Sequence, residues 1–345
     1  MHESRLSAIT GGRLHSVLGI VGLAVAIVFA LTATEAQALV CGKEIKKDVK
    51  LKQDLMNCPG DGLVVGAHGI TIDLNGHRID GVSAPGSSGI RNGSPFSWDD
   101  VVVKGKPGSR ITGFDRGVAF LSADGGAIRG IRVKNAAGQG ILLNTSDEIR
   151  VRDNRVVASE IYGISISNAG DNKIRDNAIV GPATSAFSTA GIAVSASLSQ
   201  GNLLKGNEFR GGAAGGSGML IFGNAQNTRV VKNSFTGASG SGIQVYDGSD
   251  GTVVRANLSR RNGFEGIAVL DTAGTGTRVI DNRAHRNGSD GIEVNDSFVQ
   301  VGDNVARNNS AWGIIATNFV IDLGGNRAAG NGQPGQCLGV ACTAP

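Results

Sequence analysis

The sequence predicts an all-β fold, a parallel β-solenoid of about 11 coils, on three observations. A glycine followed by an apolar residue recurs every 22 to 28 residues. An asparagine recurs between these glycines, every 22 to 30 residues. Apolar and polar residues alternate after each glycine, which is the period of a strand with one buried face. Two markers that share one irregular period indicate an internal repeat.

The glycine marker opens a short strand in each repeat, as in Ile292, Glu293 and Val294 after Gly291. The marked glycines are Gly140, Gly163, Gly191, Gly218, Gly242, Gly266, Gly291 and Gly313. Helical spacing of apolar residues is absent between them. Short strands with no helix wind into stacked coils about 4.8 Å apart. Gly69, Gly89 and Gly117 are expected to open earlier, less regular coils.

The asparagine marker is expected to stand at the same bend of every coil. The marked residues are Asn154, Asn177, Asn207, Asn233, Asn257, Asn282, Asn304 and Asn326, each with an apolar residue three positions earlier. A stacked side-chain amide can bond the amides above and below it and satisfy buried turn groups. We therefore predict a buried asparagine ladder.

Residues 1–38 are expected to be a secretory signal peptide outside the fold. Arg5 and Arg13 precede an apolar run at 17–33, and a small-x-small cleavage site ends at Ala38. The run of roughly 17 residues is short for a membrane span. Retention as a membrane anchor is the alternative.

Cysteines mark both ends of the remaining chain. Cys41 lies near Cys58, Cys337 lies near Cys342, and none stands between the pairs. In an exported protein the economical interpretation is two local disulfides. Each would close a cap over the strand edges at one end of the solenoid. We predict one domain at 39–345, with an N-terminal cap at 41–68, coils at 69–332 and a C-terminal cap at 333–345.

Composition narrows the class of partner. The formal net charge is +4, and residues 1–38 contribute none of it. Such a mildly basic chain is not typical of a nucleic-acid-binding protein. Although the chain has 54 glycines, 40% of its residues are hydrophobic and patterned, which excludes a disordered chain. We expect a secreted, periplasmic or cell-surface protein with no nucleic-acid partner and, after cleavage, no membrane partner.

Two segments resemble exported bacterial right-handed parallel β-helix proteins of the pectin lyase-like superfamily. They are CGKEIKKDVKLKQDLMNCPGDGLVVGAHGITIDLNGHRIDG at 41–81 and ITGFDRGV at 111–118. The glycine and asparagine repeats, similar in style to those of NosD proteins, extend the resemblance over nearly the whole mature chain. The resemblance implies a right-handed coil. It does not assign an activity, because the superfamily includes pectate lyases, polygalacturonases, alginate epimerases and phage tailspikes.

The catalytic motifs of those enzymes do not carry over. The sequence lacks Asp-Pro-His-Asp of mannuronan epimerases and Arg-x-Pro-x-x-Arg of pectate lyases. Asn144-Thr145-Ser146 lacks the acid of the first polygalacturonase motif. Only Met56 and Met219 remain after the signal peptide, so a soft copper site is unsupported. No cofactor is predicted, with Ca²⁺ at crowded acids as an alternative that has no motif.

The strand before each asparagine is expected to present a row of cations. Its outward positions include Arg152, Arg175, Lys205, Arg255 and Arg278. Cations about 5 Å apart repel one another unless an anion lies along them. We predict that these residues bind an acidic polysaccharide. The alternative is a solvated face whose cations pair with nearby acids.

The strand after each glycine carries the candidate catalytic residues. Phe222 and Tyr246 lie in adjacent coils and could stack on a sugar ring, which makes Phe222 a sixth candidate binding residue. In a lyase or epimerase Tyr246 would be the base. In a hydrolase Asp271 would act with Asp296 or Glu293. The alternative is that these aspartates cap turns.

The sequence thus predicts an exported β-helix protein that binds an acidic polysaccharide, and leaves open whether it also cleaves or epimerises that polymer. Most asparagines are followed by the next marked glycine after 9 residues. Enzymes of this fold commonly wall their clefts with longer insertions. Short loops therefore favour the alternative, a non-catalytic surface, matrix or adhesion protein.

Overall fold

The computed structural model describes residues 39–93, 95–181, 189–211, 216–270, 276–317 and 319–344. The predicted signal peptide at 1–38 and the candidate Asp271 lie outside these residues. The described residues form strands and turns only. Across the same ranges, no helix is long and apolar enough to cross a membrane.

The strands are short, two to six residues each, as the alternating segments predict. In chain order the first are β1 (Lys43–Ile45), β2 (Val49–Lys50), β3 (Leu55–Cys58), β4 (Leu63–Val65), β5 (Thr71–Asp73), β6 (Arg78–Gly81), β7 (Ser88–Asn92), β8 (Val102–Lys104), β9 (Arg110–Thr112), β10 (Arg116–Leu121), β11 (Ala127–Arg129) and β12 (Arg132–Lys134). The next are β13 (Gln139–Asn144), β14 (Arg150–Arg152), β15 (Arg155–Val157), β16 (Tyr162–Ser167), β17 (Lys173–Arg175), β18 (Ala178–Val180), β19 (Ala190–Ser195), β20 (Leu203–Lys205), β21 (Glu208–Arg210), β22 (Ser217–Phe222), β23 (Arg229–Val231) and β24 (Ser234–Thr236). The last are β25 (Ile243–Val245), β26 (Val253–Arg255), β27 (Leu258–Arg260), β28 (Ile267–Leu270), β29 (Arg278–Ile280), β30 (Arg283–His285), β31 (Ile292–Asn295), β32 (Gln300–Gly302), β33 (Val305–Arg307), β34 (Ile314–Ala316), β35 (Ile321–Gly324), β36 (Arg327–Ala329) and β37 (Cys337–Leu338).

These strands form three parallel sheets, which confirms the predicted solenoid. Sheet A contains β1 and every third strand up to β37, sheet B runs from β2 to β35, and sheet C runs from β3 to β36. Each coil therefore contributes one strand to each sheet, and the chain makes about 12 coils. The sequence predicts about 11 because β1 to β3 form a first coil without either marker.

The core is a set of apolar columns inside the coils. In sheet A, Val118, Ile141, Ile164, Ile192 and Met219 pair in register, and all are fully buried. Because side chains alternate along a strand, the residues between them point outward. The core thus fixes which residues of every strand are available to a partner.

The predicted asparagine ladder is confirmed at the bend between sheets B and C. Each marked asparagine from Asn154 to Asn304 donates its Nδ2 to the Oδ1 of the next one, at 2.9–3.2 Å. A second ladder, not singled out in the sequence, joins Asn262, Asn287, Asn309 and Asn331 at the bend between sheets C and A. Both predicted disulfides, Cys41–Cys58 and Cys337–Cys342, are formed near the ends of the solenoid.

Candidate functional site

Outward cations cover one side of the solenoid, on sheet B. Eight successive strands of this sheet, from β8 to β29, each carry at least one. This surface, called the cation face, comprises Lys104, Arg129, Arg150, Arg152, Lys173, Arg175, Lys205, Arg229, Arg255 and Arg278. All five cations predicted as binding residues lie on it. The structure therefore brings them together on one sheet, as strand alternation predicts.

Five of these cations form one unbroken column. Lys104, Arg129, Arg152, Arg175 and Lys205 pair in register across adjacent strands. Adjacent members are therefore about 4.8 Å apart along the stack. The sequence argument missed Lys104 and Arg129 because the asparagine marker is absent from their coils. The signal that identifies them is the buried apolar residue directly before each, Val103 and Ile128.

Acidic neighbours balance only part of the cation face. Arg255 Nε lies 3.0 Å from Asp281 Oδ2, Lys104 Nζ lies 3.6 Å from Asp73 Oδ2, and Arg152 pairs with Asp153. Exposed pairs of this kind are worth little. Among the described residues, no ion pair involves the exposed Lys173, Lys205, Arg229 or Arg278. The alternative of a paired, solvated face thus accounts for part of the row only.

A recess of about 700 Å³ lies at the bend between sheets B and C. Its cationic lining residues are Arg229, Lys232, Arg255, Arg278 and Arg283, from both sheets and the turn between them. The guanidinium groups supply planar donors suited to carboxylates. An anionic group in this recess would therefore find donors on several sides.

Sheet A carries the predicted aromatic pair. The rings of Phe222 and Tyr246 are stacked, with centroids 5.5 Å apart and an angle of 8° between the planes. Burial raises the pKa of the Tyr246 hydroxyl, and the nearby Tyr162 and Asp247 raise it further. A raised pKa opposes formation of the phenolate, so Tyr246 is poorly prepared to act as a base.

The first acidic candidate on sheet A is Glu293, which lies close to two further carboxyls, Glu265 and Asp290. Burial raises the pKa of Glu293, and the charges of Glu265 and Asp290 raise it further. Burial and Glu265 also raise the pKa of Asp290, against the lowering effect of a hydrogen bond from the Trp312 backbone N–H. Ser241 Oγ donates a hydrogen bond to Glu265 Oε2 at 2.7 Å. The result is a crowded carboxyl group centred on Glu293.

The sequence argument missed Glu265, Asp290 and Tyr162 because it followed only the residues after each marked glycine. These three residues stand directly before Gly266, Gly291 and Gly163. The signal that identifies them is the same glycine marker, since the residue before it points outward at the start of the strand. The candidate site on sheet A is therefore larger and more acidic than predicted.

Asp296 lies in the turn after β31. Its Oδ1 accepts a hydrogen bond from the Ser297 backbone N–H at 2.7 Å, which is the turn-capping geometry named as the alternative. Burial raises the pKa of Asp250, and the Asp296 charge adds to that rise. Thus Tyr246, Glu293 and Asp296 all lie on or beside sheet A, whereas the five candidate cations lie on sheet B.

The described part of the chain has no group of three or more His, Cys, Asp or Glu side chains that could hold a metal ion. All four cysteines are in disulfides. Met219 is fully buried in the core at β22, whereas Met56 is 40% exposed on β3, in the first coil. The two methionines therefore cannot supply a shared soft site.

Solved structures with the same fold include proteins that act on sugars. The A-module of mannuronan C-5 epimerase AlgE6 from Azotobacter vinelandii matches with a TM-score of 0.53 at 13% identity, covering 89% of this chain and 90% of that one. The periplasmic alginate epimerase AlgG matches with a TM-score of 0.53 at 16% identity, covering 84% of this chain and 77% of that one. The tailspike of E. coli bacteriophage HK620 matches with a TM-score of 0.59 at 11% identity, covering 84% of this chain and 61% of that one. Likeness at this identity shows the fold alone.

Family models add the assignment that structural likeness does not give. A search of curated proteins found no match. The family model described as "Right handed beta helix region" matches residues 185–328, which confirms the handedness implied by the resemblance. The model described as "Periplasmic copper-binding protein (NosD)" matches residues 59–242, more than half of the chain. The chain therefore belongs to the NosD family of right-handed parallel β-helix proteins.

Proposed function

We propose that this protein is exported and binds an acidic polysaccharide along the cation face. The single observation that carries the proposal is the length of the cation face: eight successive strands of sheet B each carry an outward cation, five of them in one in-register column about 4.8 Å apart. An extended polyuronate carries carboxylates at a similar interval. Each carboxylate can accept hydrogen bonds from one or two guanidinium groups. The polysaccharide-acting proteins among the structures of this fold support the choice of polymer.

Binding without catalysis is the form of this function that the geometry supports best. A lyase or epimerase needs a cation beside the uronate carboxylate and a base beside its α-carbon. The candidate base Tyr246 directly follows β25 of sheet A, and the candidate cations are on sheet B. A non-catalytic surface or matrix protein needs only the cation face. We therefore place the polymer on sheet B.

Hydrolysis at Glu293 is the second candidate. Its supporting observation is the raised pKa of Glu293, caused by burial and by Glu265 and Asp290. A raised pKa makes a carboxyl hold its proton more readily, which suits the role of general acid. Incubating acidic and neutral polymers with the protein, then assaying new reducing ends and unsaturated uronate, tests this candidate. Product formation that survives Glu293→Gln would contradict it.

The proposed location is the periplasm or the cell exterior. Disulfides such as Cys41–Cys58 and Cys337–Cys342 form and persist in oxidising compartments. The predicted signal peptide at 1–38 agrees with this location. The family description includes copper, but the disulfide-bonded cysteines and the two separated methionines do not fit a soft metal. No copper function is proposed.

The test of the main proposal removes three cations from the face. The variant Arg175→Gln, Lys205→Gln and Arg255→Gln should bind alginate or pectate roughly tenfold more weakly at low salt, because each exposed contact contributes less than about 1 kcal/mol. Its binding should also depend less steeply on salt. Affinity is measured by calorimetry, with a neutral glucan as the comparison polymer.

A matched control removes the same charge from another sheet. Arg110, Arg132 and Arg155 pair in register on sheet C and are exposed. Changing all three to Gln should leave polyuronate binding near that of the parent. Equal binding of neutral and acidic polymers, or a sheet C variant that loses as much affinity as the sheet B variant, would contradict the proposal.

A further inference from the structure

A second group of basic residues lies on sheet C, apart from the cation face. It is called the sheet C cluster and comprises Arg260, Arg261, Arg283, His285, Arg286 and Arg307. Arg260, His285 and Arg307 pair in register on β27, β30 and β33. Arg283 lies on β30 with His285, and its side chain points to the same side because the two are two residues apart. Four of the five arginines, Arg260, Arg283, Arg286 and Arg307, act electrostatically on the His285 imidazole, and Arg261 lines the same recess.

Within the described ranges, no acidic side chain pairs with the guanidinium groups of the cluster. Among the described residues, none of the five arginines forms an ion pair. Arg260 Nε donates one hydrogen bond, to Thr236 Oγ1 at 3.2 Å. Like charges at this spacing repel one another. The cluster therefore holds electrostatic energy that a bound anion would release.

Two recesses open onto the cluster and share two of its residues. One, of about 290 Å³, is lined by Arg260, Arg261, Arg286 and Asn308 together with His285 and Arg307. The other, of about 260 Å³, is lined by Arg283 and Arg327 together with the same two residues. The shared pair marks the point where donors from three adjacent coils converge. A small anion at that point is within reach of several arginines.

Two arginines of the cluster have a backbone conformation that glycine adopts at lower steric cost. Arg261 and Arg286 have φ values of +54° and +56°, in the left-handed region. The equivalent turn positions in the flanking coils hold Gly237 and Asn308, with φ of +71° and +55°. Glycine adopts this conformation without the steric penalty that a side chain incurs. Two successive coils thus keep a cation at a position that favours glycine.

The imidazole at the centre responds to the charges around it. Burial lowers the pKa of His285, and the charges of Arg307, Arg283, Arg286 and Arg260 lower it further. The lowered pKa favours the neutral imidazole of His285, which leaves the positive charge to the arginines. A bound anion would oppose those charges and raise the pKa of His285. The pKa of His285 therefore indicates whether an anion is bound to the cluster.

We propose that the sheet C cluster binds a tetrahedral oxyanion, the phosphate or sulfate ester group of a second ligand. A phosphate or sulfate group has several oxygens and can accept hydrogen bonds from arginines on different strands at once. A carboxylate has two oxygens and suits a row of single donors such as the cation face. The proposal does not depend on the polysaccharide bound by sheet B: the cluster shares Arg283 with the recess beside the cation face, but the convergent pair His285 and Arg307 does not line that recess.

The test titrates the purified protein with inorganic phosphate, inorganic sulfate and acetate at low salt. Phosphate or sulfate should bind more tightly than acetate, and should raise the pKa of His285 followed by nuclear magnetic resonance. The double variant Arg260→Gln and Arg307→Gln should bind the oxyanion roughly tenfold more weakly. The control Arg132→Gln and Arg155→Gln, on the same sheet with the same charge loss, should change binding less than about twofold.

The outcomes separate the sources of the ligand. Binding of phosphate alone assigns the site to phosphate esters, and binding of both anions assigns it to the oxyanion they share. Sulfate, whose charge does not change with pH in this range, should bind more tightly as pH falls through the pKa of His285, and His285→Gln should remove that dependence. Acetate that binds as tightly as phosphate, a His285 pKa that does not move, or a control pair that loses as much affinity would overturn the proposal.

Discussion

Sheets A and B share one repeat and one core, yet their outer faces differ. Outward positions on sheet B hold exposed cations such as Lys173, Lys205 and Arg229. The middle outward positions on sheet A hold small residues such as Ala193 and Ala268, which are fully buried. The same column also holds Glu293, in register with Ala268, while aromatic rings and further carboxyls lie at the ends of the strands. The inward residues therefore set the coil, while the outward residues are free to differ between sheets and decide what each face can bind.

The largest expected effect is on stability and comes from the asparagine ladder, which supports both sheets. Asn257 Nδ2 donates to Val230 O and to Asn282 Oδ1, and its Oδ1 accepts from the backbone N–H and Nδ2 of Asn233. Asn257→Leu should lower the free energy of unfolding by about 1–3 kcal/mol, because buried partners lose their bonds. Thermal and denaturant unfolding measure the change.

A control for that prediction uses an asparagine outside the ladder. Asn144 is half-buried at the outward end of β13, where its Oδ1 accepts one weak hydrogen bond from Thr145. Asn144→Leu should change the free energy of unfolding by less than about 0.5 kcal/mol. If the two variants unfold alike, the ladder is not what holds the coils in register.

A smaller effect is expected from the carboxyls of sheet A. Burial, Glu265 and Asp290 raise the pKa of Glu293 in the folded protein. The folded state thus holds this proton more tightly than the unfolded chain, so stability falls as pH rises from the unfolded pKa through the folded one. Glu293→Gln should therefore be more stable than the parent at neutral pH, by less than about 1 kcal/mol because the side chain is half-exposed.

The control for that prediction lies on sheet C. Glu208 Oε1 is 2.7 Å from Arg210 Nη2, in an exposed ion pair. Glu208→Gln should give no such gain at neutral pH, since its charge has a favourable partner. The stability difference between Glu293→Gln and the parent should vanish in acid, where Glu293 is protonated in both states. A constant difference at all pH values would mean that packing, not charge, is responsible.

The sequence predicts the coils better than the site for a physical reason. A bend that stacks amides accepts few residues other than asparagine, so Asn257 and its equivalents reveal the period. An outward position accepts almost any residue, so Lys104 and Arg129 carry no mark of their role. Glu265 and Asp290 become significant only when register places them beside Glu293, which spacing alone does not give. The fold can therefore be predicted from residues that every coil requires, whereas the site consists of outward residues that the coil does not constrain.

The measurement that tests the central claim most directly is arginine-specific chemical modification with and without a polyuronate, read by mass spectrometry. Arg129 and Arg152 on sheet B have matched neighbours in the same coils, Arg132 and Arg155 on sheet C. The account predicts that the polymer protects the sheet B pair and leaves the sheet C pair reactive. Equal protection of both pairs, or of neither, would contradict binding along the cation face.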